Sequence, residues 1–119
     1  MKLLLTLFSP IILFACSTIS DQYPERKPPD LTTFYKQAGY PLEASPPQYP
    51  RKAAIRNIEG WVLFEFNLSQ AGKPTNLKVI DSYPQGIFEE EASKAFKEWT
   101  FQHINDVDSY KYILEFKLR

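Results

Sequence analysis

Trp61-Val62-Leu63-Phe64-Glu65-Phe66-Asn67-Leu68 is the stretch that decides the fold class. Its alternation puts Val62, Phe64, Phe66 and Leu68 on one face and Trp61, Leu63, Glu65 and Asn67 on the other. A period of two marks a half-buried β-strand. Ser69-Gln70-Ala71-Gly72-Lys73-Pro74 follows as a glycine-bearing turn. A second strand is predicted from Thr75 to about Asp81, with Leu77 and Val79 inward. Hairpin geometry makes the two strands antiparallel.

Downstream, Tyr83-Pro84-Gln85-Gly86 breaks the pattern. Phe88, Ala92, Ala95, Phe96 and Trp99 then recur at helical spacing, which predicts a helix from about Ile87 to Trp99. Glu89, Glu90 and Glu91 crowd its first turn, where the helix dipole favours negative charge, and Lys94 and Lys97 lie further along. His103 to Ser109 is a polar loop. Tyr110, Tyr112, Leu114, Phe116 and Leu118 then alternate with Lys111, Ile113, Glu115, Lys117 and Arg119, a third strand. Upstream, Tyr49-Pro50 opens a short helix to about Asn57, with Ala53, Ala54 and Ile58 turned inward and Gly60 as the stop. The sum is an α+β domain over 46–119: short helix, β-hairpin, long helix and final strand, with a three-stranded antiparallel sheet and two helices.

The 14 basic and 14 acidic residues cancel, and removing a leader that contains Lys2 would leave one extra acid. Nucleic-acid binding would call for a basic face, so it is not expected. A domain of about 74 residues is small for folding alone. Aromatic residues are 15% of the chain, and their large buried areas compensate. The single cysteine, Cys16, rules out an internal disulfide.

Cys16 ends a leader-like segment. Met1-Lys2 gives a positive start, Leu3 to Phe14 is apolar, and Leu13-Phe14-Ala15-Cys16 closes the run. About twelve apolar residues are short for a hydrocarbon core of about 30 Å, and fit the h-region of a secretory signal. Residues 1–16 resemble a bacterial lipoprotein signal, in which Cys16 is lipidated and becomes the N-terminus. Phe14 departs from the smaller residues usual there, and an uncleaved membrane anchor stays open as the alternative. Ser17 after the cysteine implies sorting to the outer membrane, on the periplasmic side. Residues 17–45 read as a Pro-rich tether, which at about 3.1 Å per residue would reach roughly 90 Å. Within it, Asp30 is placed to cap a helix over 31–38, whose Leu31, Phe34, Tyr35 and Ala38 would dock on the domain.

Catalysis is not expected. His103 stands alone, with no base and nucleophile paired near it, and Asp106 and Asp108 more often cap a turn than hold a metal. The Glu89-Glu90-Glu91 run suits a helix start better than a metal, so no cofactor, metal or small-molecule substrate is expected.

The order and punctuation resemble the C-terminal domain of the TonB family over about 74 residues. The residues that carry the likeness are Tyr49-Pro50, Gly60 before the first strand, Gly72 in the hairpin turn, Pro84 with Phe88, and Trp99 with Phe101. The resemblance implies a periplasmic module that grips an extended peptide, the TonB box, of an outer-membrane TonB-dependent transporter. The guest would add beside the last strand by β-augmentation, contacting Tyr110, Lys111, Tyr112, Ile113, Leu114, Glu115 and Phe116. It would also touch Pro47, Gln48, Tyr49 and Pro50, although Tyr49-Pro50 equally serves helix initiation and packing. The leading Gln of that family pattern is Pro46 here. The motor-coupling helix of energy-transducing members is not matched by 1–16, so a lipid-anchored, accessory role is expected. The other class of function left open is a structural envelope lipoprotein docking on a secretion, division or cell-wall assembly.

Overall fold

The computed structural model describes residues 23–31, 41–103 and 108–118. The leader with Cys16, residues 32–38 of the expected helix, Asp106 and Arg119 lie outside these. In chain order the elements are β1 (Pro41–Glu43), α1 (Arg51–Ile55), β2 (Gly60–Leu68), β3 (Pro74–Tyr83), α2 (Glu89–Phe96), β4 (Thr100–Phe101) and β5 (Tyr110–Phe116). The main sheet is antiparallel in the order β3-β2-β5. With α1 and α2 it is the expected α+β arrangement. A second small sheet, β1 against β4, pairs Pro41 with Phe101 and Glu43 with Thr100. Segments of three and two residues show no period, so the sequence did not announce it.

Helix α1 is shorter than expected, and Asn57, not Gly60, ends it. The Pro50 carbonyl accepts from Ala54 N–H at 2.9 Å. Asn57 turns left-handed at φ 55°, while Ile58 N–H bonds back to Ala53 O at 2.9 Å and Asn57 N–H to Ala54 O at 3.3 Å. That pair of bonds is the Schellman stop, and Asn tolerates its left-handed position. Gly60 serves a different need. A Cβ there would lie 2.0 Å from Tyr83 O and 2.7 Å from Phe88 Cε2, so only glycine lets β2 pass so close to β3.

Helix α2 covers less than Ile87 to Trp99, because its end tightens. Glu98 N–H bonds to Ala95 O and Trp99 N–H to Phe96 O, both at 3.1 Å and both i to i−3. At its start, Glu89 reaches back to accept from Gly86 N–H at 2.8 Å and from the Ser82 hydroxyl. Lys94 spans Glu90 at 3.4 Å and Glu91 at 3.6 Å, so the acidic run is a first turn balanced along its own face.

The inner face of β2 and the stripe of α2 make the main core. Val62, Phe64, Phe66, Phe88 and Phe96 are fully buried. Phe64 stacks on Phe96 at 4.6 Å between centroids, and Phe66 meets Phe96 edge-on at 4.9 Å. Each such side chain contributes on the order of 2–3 kcal/mol by burial, which is how so small a domain forms. Val79 corrects the expected inward set of β3. It shares the face of its partner Phe64 but is 40% exposed, at the open margin of an edge strand, while Leu77 packs on the core. Ile80 falls at a register shift between the pairs Phe64–Val79 and Leu63–Asp81, and is likewise exposed.

The face of the sheet away from the helices is not left to solvent. Trp61, Leu63 and Ile113 are buried there together with Leu31, and Tyr83 packs beside them. The segment 23–31 therefore lies across the domain. Further along, Trp99 Nε1–H donates to Ser45 O at 2.8 Å, which holds the approach to α1 against the end of α2.

Candidate functional site

β5 is an outer strand. It pairs with β2 from Gly60–Phe116 to Phe66–Tyr110, and no strand among the described residues pairs with it on the other side. Tyr110, Leu114 and Phe116 belong to the core face, with Tyr112 partly buried against it. Ile113 faces the opposite way, into the cluster of Trp61, Leu63 and Leu31. Lys111 is half-buried, and Glu115 is exposed, 3.2 Å from Lys117. Side chains pack on both faces of the strand, and its second border carries no strand among the described residues. A backbone edge so fixed is the physical requirement for strand addition.

The second expected contact segment comes to the same place. Pro47 and Pro50 are half-buried and Gln48 is exposed. Tyr49 stands edge-on to Phe88 at 5.6 Å and to Phe116 at 5.8 Å, and its hydroxyl donates to Ile58 O. Burial first, and the nearby Glu59 second, push its phenol up to about 12. Tyr49 is thus a neutral packing post at the C-terminal end of β5. Glu59 also accepts from Leu118 N–H at 2.6 Å, tying down the chain that leaves the strand. The structure brings Tyr49 to Phe116, while Pro47 and Gln48 turn to a groove of about 510 Å³ against Glu91 and Lys94 of α2 and Glu98 just past its end.

Sequence reasoning missed the contacts of residues 23–28. Arg26 Nη2 lies 2.9 Å from Asp81 Oδ2, and Trp61 Nε1–H donates to Arg26 O at 2.9 Å. The available signal was a Trp and a Leu at the outward positions 61 and 63 of a strand expected to be wet on that side. Among the described residues no three His, Cys, Asp or Glu side chains come close enough to hold a metal, and His103 is exposed. No helix among them is long and apolar enough to cross a membrane.

A family profile described as Gram-negative bacterial TonB protein C-terminal matches residues 45–118. The TonB protein of Pseudomonas aeruginosa is 37% identical over 62 residues, which are 52% of this chain and 18% of that protein. The TonB protein of Salmonella typhimurium is 33% identical over 61 residues, 51% of this chain and 25% of that protein. The similarity therefore spans a quarter or less of those relatives' length. The solution structure of the Pseudomonas aeruginosa TonB C-terminal domain superposes with a TM-score of 0.55 at 30% identity, over 66% of this chain and 85% of that one. The TonB2 protein of Vibrio anguillarum gives the same TM-score and identity over 82% and 98%.

Proposed function

Since this chain belongs to the TonB C-terminal family, we propose that it is a lipid-anchored periplasmic module. It captures an extended peptide of an outer-membrane TonB-dependent transporter along β5. One observation carries this reading: among the described residues β5 is the last strand of an open sheet, packed on both faces, with its border turned away from β2. The C-terminal half, Ile113 to Phe116, is the part on which the proposal rests. Main-chain bonds to the guest would supply affinity, and the exposed Glu115 and Lys117 would select among guests by charge.

Anchoring through Cys16 places the domain on the periplasmic side of the outer membrane. Two or more acyl chains hold stably, where one binds reversibly. An anchor at that membrane gives the module no direct link to an inner-membrane motor, so its part in transport is accessory capture.

The test is co-purification from native envelope with single N-methyl groups placed on the backbone of Leu114 or of Glu115. Neighbouring N–H groups of a strand point to opposite edges. One variant loses a bond to β2 and is destabilised. The other stays folded and stops retaining β-barrel transporters. Undiminished recovery of transporters by both variants, or enrichment of other envelope proteins alone, rejects the proposal.

A further inference from the structure

The outer face of the sheet is covered by the chain's own N-terminal segment, held in the manner of a bound peptide. Residues 24–30 have no regular secondary structure. Pro24, Pro28 and Pro29 bias them to an extended course, because proline fixes its own φ and restricts the residue before it. Two side chains of the sheet donate to alternate carbonyls of this segment. The Tyr83 hydroxyl bonds to Pro24 O, and Trp61 Nε1–H bonds to Arg26 O at 2.9 Å. The arginine between the prolines is recognised as well. Its guanidinium meets Asp81 at 2.9 Å and lies 5.3 Å from the Trp61 ring and 5.9 Å from that of Tyr83. Asp81 is oriented in turn by Ser82 N–H at 2.8 Å.

Aromatic donors aimed at carbonyls, beside an acid that selects a basic side chain, are the means by which preformed extended peptides are bound. The hold on residues 24–27 is also light. All four are exposed, and a surface ion pair is worth about 0–1 kcal/mol. Such contacts give selectivity without locking the segment in place. The segment itself, from Glu25 to Pro28, lines an open cavity of about 600 Å³ together with Asn57, Glu59, Trp61, Tyr83 and Glu115.

We propose that this face is a second peptide-binding site, selective for an extended Pro-x-Arg-x-Pro segment. The chain fills it in cis with Pro24 to Pro28, and it accepts the same segment from a second copy in trans. This site uses the face of the sheet and strand addition uses its border, so neither requires the other, although Glu115 adjoins both. A short tether presents its own segment at an effective concentration on the order of millimolar, which masks the site from a free peptide.

The experiment uses the full chain and a fluorescein-labelled peptide of the sequence Tyr23 to Leu31, followed by anisotropy. Arg26→Glu in the protein sets a carboxylate against Asp81 and loosens the cis segment; its side chain is exposed, so the fold is retained. This variant is expected to bind the free peptide at least about tenfold more tightly than the unaltered chain. The peptide carrying Arg26→Ala should lose about tenfold, and Asp81→Asn added to the variant protein should do the same. If the folded Arg26→Glu chain binds no peptide at millimolar concentration, the proposal is overturned. Equal binding of the intact, Arg26→Ala and scrambled peptides also overturns it.

Discussion

Tyr49 meets Phe116 edge to face, with ring centroids 5.8 Å apart and planes at 77°. Phe88 stacks on Phe116 from another side at 4.5 Å, so the lead-in to α1, the start of α2 and the last residue of β5 form one aromatic unit. The end of the candidate edge is therefore placed by Tyr49. Tyr49→Ala should cost about 2–4 kcal/mol in urea unfolding and weaken capture of the guest peptide. Tyr49→Phe keeps the ring contacts and loses only the bond to Ile58 O, at a cost of about 1 kcal/mol.

The same tyrosine predicts an alkaline limit. Its phenol is raised from 10 to about 12 in the folded chain, by burial and then by Glu59. The unfolded chain gives up this proton first as pH rises. The stabilisation is therefore complete below about pH 10 and is lost as pH climbs through 12. Between pH 9 and 11, urea unfolding should show a loss of stability, held below about 1 kcal/mol because solvent screens this partly exposed phenol, that Tyr49→Phe abolishes.

Gly60→Ala should be strongly destabilising. The added Cβ would meet the backbone oxygen of Tyr83 at 2.0 Å, and both strands are pinned in the sheet. Overpacking of this kind costs about 1–3 kcal/mol, and contact with backbone puts the change at the upper end. Thermal unfolding would record it as a drop in Tm of several degrees, and an unchanged Tm would contradict the close approach of β2 to β3.

Cys16→Ser should leave an unlipidated precursor that departs from the outer-membrane fraction. Metabolic labelling with a fatty-acid analogue and membrane fractionation read the two consequences separately. Normal labelling or unchanged fractionation of the variant would sink the lipid anchor.

The local patterns that were legible are those in which one element faces one neighbour. The inner face of β2, the stripe of α2 and the alternation of β5 each follow from a single period, and the buried residues obey it. Val79 was misjudged because period gives a face and not the cover over that face. Trp61 and Leu63 sat on the side expected to be wet, and what buries them is Leu31, thirty residues away in sequence. The pairing of β1 with β4 was silent for want of length.

From the sequence alone came the order of the two helices and the three strands of the main sheet, the core faces of β2, α2 and β5, and the family those features resemble. These are local matters, set by side-chain spacing, turn residues and proline. Tertiary packing alone decided that Tyr49 abuts the end of β5, that β5 has a single strand neighbour among the described residues, and that Arg26 lies between Asp81, Trp61 and Tyr83. Such contacts join residues as far apart in sequence as Tyr49 and Phe116, and no local period encodes a meeting that depends on how the whole chain closes.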